Sequence, residues 1–281
     1  MKSSRTTRLG VALICVAGLL ASYAAAGAAA KGPRAKASVI GGTPASLSDW
    51  GFTAAILTPH TLCTGSVISP TRVLTAAHCV ASPSTMTVRT GSNLAFAGGE
   101  VHSVSAAAIN PGWNHGFIGD VAVLTLGTPT TAPSIQVASA AEDSALTRPG
   151  AALAVAGFGA RNPAPRRKPK IGVLMTAPAF VHGFCPVPTS LVCDAGGKSA
   201  LVAVRKVGRK KLRRPIQRTI CAGDSGGPMI AASPAGPRLV GIAEATAAPP
   251  KHSAFGFVWC GLKGFPALHT RAASWLSFIQ G

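Results

Sequence analysis

The segment CAGDSGGP, residues 221–228, sets a single serine among glycines and directly after an acidic residue. Gly223 and Asp224 precede Ser225, and two glycines follow it. Glycine has no side chain, so a substrate carbonyl can come close to main-chain N–H groups in such a turn. A serine hydroxyl is a weak nucleophile at neutral pH and needs a histidine base and a carboxylate that orients the base. The segment therefore predicts a catalytic serine whose two partners lie elsewhere in the chain.

The order of the candidate partners separates two folds. The segment also fits the G-x-S-x-G pattern of α/β-hydrolases, which place an acid and then a histidine after the serine. Only 56 residues follow Ser225, and Glu244 is the sole acid among them. Upstream, His78 lies in LTAAHC and Asp120 in DVAVLTL. The resulting order His, Asp, Ser argues against an α/β-hydrolase.

Short β-type runs punctuated by Gly, Pro and Ser predict an all-β chain. The runs are RVLTAAHCV (72–80), TMTVRT (85–90), VAVLTL (121–126), ALAVAGFG (152–159), IGVLMTAPAF (171–180) and RLVGIAEA (238–245). Helical spacing occurs in RAASWLSFIQ (271–280), where Ala272, Trp275, Leu276 and Ile279 share one face. The pattern indicates barrels or sandwiches followed by one terminal helix.

The N-terminus reads as an export signal. Lys2, Arg5 and Arg8 precede an apolar stretch, residues 9–20, and an alanine-rich segment that suits cleavage near Ala30. We therefore expect a signal peptide over residues 1–30 and a secreted, extracellular protein without stable membrane insertion. The alternative is an uncleaved membrane anchor, because the apolar segment approaches the length that spans a bilayer.

Six cysteines remain after the signal: Cys63, Cys79, Cys185, Cys193, Cys221 and Cys260. An even number in an exported chain predicts three disulfides, although six cysteines allow 15 connectivities. No pair has C-x-x-C spacing and the histidines are scattered, so we expect no metal site and no cofactor.

The order His, Asp, Ser is that of the chymotrypsin template. Together with LTAAHC, DVAVLTL and CAGDSGGP, the segments VIGG (39–42) and GFPALHTR (264–271) show that the chain resembles the chymotrypsin/trypsin family of serine endopeptidases. The resemblance implies two six-stranded antiparallel Greek-key barrels with a C-terminal helix. It sets the peptidase domain at 39–281, with a first barrel over about 39–146, a second over about 147–270 and the helix over about 271–281.

The resemblance also implies the roles of the site residues. Ser225 is the nucleophile, His78 the general base and then acid, and Asp120 the group that orients His78. The main-chain N–H groups of Gly223 and Ser225 form the oxyanion hole. Among the cysteines it implies three pairs: Cys63 with Cys79, Cys185 with Cys193, and Cys221 with Cys260.

Activation follows from the same resemblance. Removal of a short propeptide, residues 31–38, leaves Val39 as a new N-terminus whose amine pairs with Asp224 and shapes the oxyanion hole. The form that keeps residues 31–38 is then a zymogen. Ser38, not Arg or Lys, precedes the cleavage point, so the activating peptidase is not trypsin-like and self-activation is conceivable.

The implied specificity pocket departs from the common patterns of the family. Thr219 occupies its base in place of an aspartate, and Thr246 and Ala267 occupy wall positions that are glycine in wide pockets. The resemblance thus predicts cleavage after small residues. Glu244 replaces a serine that usually binds the catalytic aspartate. If Glu244 faced Asp120, the two carboxylates would repel and one pKa would rise. We expect instead that Glu244 points away or that the alignment slips by one residue.

The formal net charge is +19, and the six basic residues of 1–38 leave +13 on residues 39–281. Fourteen basic residues lie in two segments, 161–170 and 198–218, which the resemblance places on loops around the site; the second belongs to an unusually long insert over 194–220. Such loops suit acidic substrates or polyanions, although they are equally compatible with a solvated surface. Two functions stay open: a secreted endopeptidase, expected as a monomer acting on proteins or peptides, and a cationic polyanion-binding or antimicrobial protein with weak or no catalysis.

Overall fold

The computed structural model describes residues 39–161, 171–182, 190–196, 198–207, 210–246, 260 and 266–281, with the backbone alone for those within 195–216. The first elements are the short strand β1 (Thr43–Pro44) and the one-turn helix α1 (Leu47–Trp50), which Ser46 caps through its hydroxyl. The helices in these ranges are too short or too polar to span a bilayer.

Six antiparallel strands then close into a first barrel, in the order β2-β3-β4-β7-β6-β5. They are β2 (Thr53–Leu57), β3 (Leu62–Ser69), β4 (Arg72–Thr75), β5 (Thr87–Thr90), β6 (Glu100–Ile109) and β7 (Ala122–Leu126). Apolar and β-branched residues fill its interior, as expected for strands that pack one face inward. The run predicted over 72–80 leaves the barrel after Thr75 and continues as a 3₁₀ turn, Ala77–Cys79.

A second set of strands forms another closed barrel. After β8 (Gln136–Val137) and the helix α2 (Ala140–Leu146), six strands pair in the order β9-β10-β11-β16-β15-β14, and β14 pairs again with β9. The six are β9 (Ala152–Gly157), β10 (Met175–Val181), β11 (Leu191–Gly196), β14 (Pro228–Ala231), β15 (Arg238–Thr246) and β16 (Ala267–Arg271). The predicted chymotrypsin-like fold is confirmed.

The basic insert contains a two-stranded antiparallel ribbon. Its strands are β12 (Lys198–Val207) and β13 (Lys210–Gln217), and in the described residues they pair with each other alone. The other basic segment lies outside the described residues except for Arg161.

The ends of the domain cross between the barrels. Residues 39–44, which the sequence assigns to the first barrel, pair with the second: Ile40 pairs with Thr219, and Thr43 with Thr176. At the other end, a 3₁₀ turn (Ala272–Trp275) leads into the helix α3 (Leu276–Gln280), so the predicted helix is shorter than its periodicity suggests. Ile279 of α3 packs in the core of the first barrel.

Candidate active site

His78 lies in a turn that a disulfide holds against the first barrel. The turn follows β4, and Cys79 is bonded to Cys63 on β3. The side chain of His78 remains 38% exposed, so one face of the ring is open to solvent. The fold therefore fixes the backbone of His78 and leaves its ring accessible.

Asp120 binds His78 through both carboxylate oxygens. Oδ2 lies 2.5 Å from Nδ1 of the ring, and Oδ1 accepts the main-chain N–H of His78 at 2.8 Å. Asp120 is 2% exposed, so its charge is shielded from water. Because the carboxylate accepts a proton from Nδ1, the neutral ring has its lone pair on Nε2. This geometry suits a general base.

The turn that contains Ser225 is held against the first barrel. The carbonyl of Ser225 accepts the N–H of Thr64 at 2.8 Å and lies 3.6 Å from the sulfur of Cys79. Gly226 has a φ of +79°, and a Cβ there would meet the hydroxyl oxygen of Thr75 at 2.1 Å. Only glycine fits this conformation and this gap. The structure thus brings Ser225 beside the turn of His78.

Gly223 is shaped by an equally close approach. Its φ is +95°, and a Cβ would lie 2.7 Å from the Cα of Gly159. Its carbonyl accepts the hydroxyl of Thr64 at 2.8 Å. Within the described part of the chain, the N–H groups of Gly223 and Ser225 donate to no protein acceptor. Both donors are therefore available to a ligand oxygen.

Asp224 is fully buried between two main-chain donors. Oδ1 accepts the N–H of Gly159 and Oδ2 that of Cys221, each at 2.8 Å. Burial raises the pKa of Asp224 to about 7, although the two N–H groups act in the opposite direction. No ion pair involves Asp224 in the described ranges, where Val39 is buried and still joined to the preceding chain.

Two of the three expected pocket residues, Thr246 and Ala267, lie on strands of the second barrel, whereas Thr219 precedes the serine loop. Thr246 is opposite Ala267 across β15 and β16, and Ala267 is opposite Asp194 across β16 and β11. Thr219 is buried, and its hydroxyl has no partner among the described residues.

The sequence analysis did not predict a buried histidine–aspartate pair on β16 and β11, the strands next to Thr246. His269 Nε2 and Asp194 Oδ2 are 3.0 Å apart, and the two side chains are 0% and 1% exposed. Each also keeps one buried polar atom without a partner in the described part of the structure. The sequence signal that could have indicated this pair is the acid Asp194 within the apolar run LVCDAG (191–196).

Glu244 does not point away, so that expectation was wrong. The register between β15 and β16 shifts between Ala243 and Ala245, which makes Glu244 the extra residue of a β-bulge. Its side chain is 7% exposed, and its Oε2 is hydrogen-bonded to the hydroxyl of Thr270 at 3.1 Å. Burial and the charge of Asp120 raise the pKa of Glu244 to about 8. The carboxyl is therefore close enough to Asp120 to sense its charge.

Two of the three predicted disulfides are present among the described residues. Besides Cys63 and Cys79, Cys221 is bonded to Cys260. Cys193 is also disulfide-bonded, whereas Cys185 lies outside the described residues. Ligand atoms of Cys63, His78 and Cys79 lie within 4.8 Å of one another, a spacing that a metal ion could use. The sulfurs are already joined to each other, so they are not thiolate ligands.

Comparison with known proteins agrees with this architecture. The family model described as Trypsin matches residues 39–176. A trypsin of Saccharopolyspora erythraea is 28% identical over 216 residues, which cover 73% of this chain and 85% of that protein. Trypsin alpha-4 of Lucilia cuprina is 28% identical over 222 residues, 75% of this chain and 78% of its own length. Over a shorter stretch of 70 residues, a trypsin of Sarcophaga bullata reaches 44% identity, with 24% of this chain and 28% of that protein covered.

The matched region contains His78 and Asp120, and the longer relatives extend the similarity well beyond the first barrel. The two closed barrels are the architecture that this similarity requires. The chain therefore belongs to the chymotrypsin/trypsin-like family of serine endopeptidases.

Proposed function

We propose that the protein is a secreted endopeptidase in which Ser225 attacks the scissile carbonyl. His78 takes the proton of Ser225 and later gives it to the leaving amine, while Asp120 holds the ring in the correct tautomer. The observation that carries the proposal is the two-point contact of Asp120 with His78, whose neighbour Cys79 lies 3.6 Å from the carbonyl of Ser225.

The N–H groups of Gly223 and Ser225 are proposed to bind the oxyanion of the tetrahedral intermediate. Their lack of protein acceptors in the described residues supports this role, because each must be free to donate to the substrate. Losing one such donor typically costs about 2.7–4 kcal/mol of transition-state stabilisation.

Activation is proposed to occur by cleavage between Ser38 and Val39, after removal of a signal peptide over 1–30. Val39 has a φ of +45°, a region that β-branched residues rarely occupy. Cleavage removes the preceding carbonyl carbon and with it this restraint. The new amine would then compensate the buried carboxylate of Asp224, which has no cationic partner among the described residues.

The substrate is proposed to carry a small residue before the scissile bond. Thr246 and Ala267 stand opposite each other, and both have side chains where glycine would leave a wide pocket. The absence of an acid at Thr219 argues against the recognition of Arg or Lys at that point.

A second candidate function is binding of polyanions. The segment 198–218 holds nine Lys and Arg residues, and most of it is a ribbon that pairs outside both barrels in the described structure. A basic ribbon of this kind suits an anionic glycan or nucleic acid by long-range attraction.

The nucleophile can be tested by intact mass of the secreted protein with and without a fluorophosphonate probe. We expect a chain that starts at Val39 and gains one probe group, and no gain in Ser225→Ala. Asp120→Asn should label about 10⁴-fold more slowly, because the ring then adopts the wrong tautomer. Asp49→Asn, at an exposed acid, is the control and should label normally. Equal labelling of Asp120→Asn and Asp49→Asn would contradict the assignment.

The state of Asp224 predicts how pH affects the unprocessed chain. Its pKa is about 7 in the folded protein, against 3.8 for a fully solvated aspartate, so the unfolded chain loses this proton first. The contribution to stability is complete below about pH 4 and is lost as pH rises to about 7. We expect the melting temperature of the unprocessed Ser225→Ala chain to fall over this range more than that of Asp224→Asn in the same background.

Processing should abolish this difference. A cleavage site for a sequence-specific peptidase, placed before Val39, produces the new amine on demand. After the cut, the Asp224 carboxylate should be paired, and the processed chain should gain stability near pH 7. The same pH dependence before and after the cut would count against the pairing of Val39 with Asp224.

Pocket size can be tested with a peptide library. We expect the enzyme to cleave after small residues, and Thr246→Gly combined with Ala267→Gly to raise cleavage after large apolar residues by about tenfold or more. Ala106→Gly, an exposed alanine of β6, serves as the control for loss of a methyl group. A profile of the unaltered enzyme dominated by Arg, Lys or Phe would exclude the narrow pocket.

The polyanion candidate is tested by heparin binding at two salt concentrations. Affinity should fall about tenfold or more between 50 and 200 mM salt, because counterions compete for the basic groups. Replacing the Lys and Arg residues of 205–214 by Gln should remove most of the binding, whereas neutralising Arg72, Arg89 and Arg148 should not. Binding that is insensitive to salt would refute the electrostatic account.

A further inference from the structure

Glu244 is the acid nearest to the catalytic pair that the proposed mechanism does not use. The hydroxyl oxygen of Thr270 lies 3.1 Å from Oε2 of Glu244 and 3.3 Å from the main-chain carbonyl oxygen of Asp120. All three groups are buried. Thr270 is therefore the bridge between Glu244 and the backbone that carries the catalytic carboxylate.

The number of hydrogen-bond donors on this bridge restricts the protonation state of Glu244. A threonine hydroxyl has one hydrogen, whereas the carbonyl of Asp120 and an ionised Glu244 are both acceptors only. One of them would then lack a donor in a buried place. If Oε2 of Glu244 bears a proton, it donates to Thr270, and Thr270 donates to Asp120. The protonated acid thus satisfies both contacts at once.

The surroundings of Glu244 favour the same state. Its second oxygen, Oε1, is buried and has no hydrogen-bond partner in the described structure, which costs more for an ion than for a neutral carbonyl. Burial and the charge of Asp120 raise the pKa of Glu244 to about 8. Ionisation would place a second negative charge beside Asp120.

The cations and titratable groups on the neighbouring elements have other partners. Those described on the strands packed against Glu244 and at the catalytic pair are His78, Asp120, Asp194, Arg238, His269 and Arg271. The ion pairs among them join His78 to Asp120 and His269 to Asp194. Arg238 binds Glu142 and Arg271 binds Asp143. No ion pair of the described residues includes Glu244.

We propose that Glu244 is a positioning residue of the active site: held as a neutral acid, it donates a hydrogen bond to the hydroxyl of Thr270, which in turn donates to the main-chain carbonyl of Asp120 and fixes it. The proposal rests on the proposed function, because it assumes that Asp120 orients a working His78. Loss of the proton from Glu244 turns the hydroxyl of Thr270 away from Asp120 and adds repulsion between the two carboxylates. Activity should therefore fall as Glu244 ionises.

The first experiment compares pH profiles of kcat/KM for the enzyme, Glu244→Gln and Glu244→Ala. Glutamine keeps a neutral donor for Thr270, so it should recover most of the kcat that alanine loses, with little change in KM. Above a midpoint near pH 8, kcat/KM of the unaltered enzyme should fall about tenfold per pH unit. In Glu244→Gln this midpoint should rise by about one pH unit or more.

Glu142→Gln is the matched control, because its carboxyl is partly exposed and is paired with Arg238, not with His78 or Asp120. It should retain the midpoint of the unaltered enzyme. Deprotonation of the Val39 amine would also lower activity at high pH. This fall is the same in all variants, so it is the fall that Glu244→Gln still shows. Identical midpoints in the unaltered enzyme and Glu244→Gln would overturn the proposal.

The second experiment does not need catalysis. We compare the melting temperatures of two secreted proteins from pH 4.5 to 9. One carries Ser225→Ala alone, and the other carries Ser225→Ala together with Glu244→Gln. Because the pKa of Glu244 in the folded protein lies above the 4.5 of a fully solvated glutamate, the stability of the Glu244 chain relative to the Gln chain is greatest near pH 4.5 and falls until about pH 8. A difference that stays constant with pH would refute the neutral acid.

The two experiments separate the possible failures. If no variant reacts with the fluorophosphonate probe, the proposed function fails and the positioning role fails with it, while the melting curves still decide whether Glu244 is neutral. If labelling depends on Ser225 but the pH midpoints coincide, the endopeptidase stands and the role of Glu244 falls alone.

Discussion

The close approach of Gly226 to the first barrel is the contact on which the site depends. A Cβ on Gly226 would lie 2.1 Å from the hydroxyl oxygen of Thr75 and 2.3 Å from the carbonyl oxygen of Thr64. A side chain would push the serine loop away from the strand that leads into the turn of His78. Ser225, the proposed nucleophile, follows the second-barrel insert, and His78, the proposed base, follows a strand of the first barrel. Their approach requires the serine loop to lie in van der Waals contact with that barrel. The serine loop can therefore lie this close to the first barrel only with glycine at position 226.

The buried carboxyls of the site lie in different electrostatic environments. Asp120 has two hydrogen-bond donors from His78, which stabilise its charge. Asp224 also has two donors, but its complete burial raises its pKa to about 7. Glu244 has a single hydrogen-bond partner, the hydroxyl of Thr270, and the charge of Asp120 opposes its ionisation. Burial therefore raises the pKa of Asp224, and burial together with the charge of Asp120 raises that of Glu244, so both acids hold a proton more readily than an exposed carboxyl does.

Sequence motifs predicted the parts of the structure that local geometry constrains. The GDSGG turn and the His, Asp, Ser order indicated the fold because glycines and polar groups at fixed positions leave few alternatives. The inward orientation of Glu244 could not be predicted, since the bulge that turns it depends on the register of two strands distant in sequence. The pair of Asp194 and His269 could not be predicted for the same reason, because the two residues are 75 positions apart in sequence and meet only when their strands pair. The pairing of the N-terminal segment with the second barrel could not be predicted either, because Ile40 pairs with Thr219, which is distant in sequence.

The position of the basic ribbon explains how a long insert is compatible with the barrel. Strand β11 ends at Gly196 and pairs with β10 and β16, which keeps the second barrel closed. The ribbon begins immediately afterwards, and within the described residues its hydrogen bonds run between its own two strands. The chain then returns at Thr219 to pair with Ile40 and enters the serine loop. Because the barrel closes without the ribbon, positive charge can accumulate there at little cost to the catalytic geometry. Catalysis and attraction of anions are therefore compatible in one domain, and the two functions need not exclude each other.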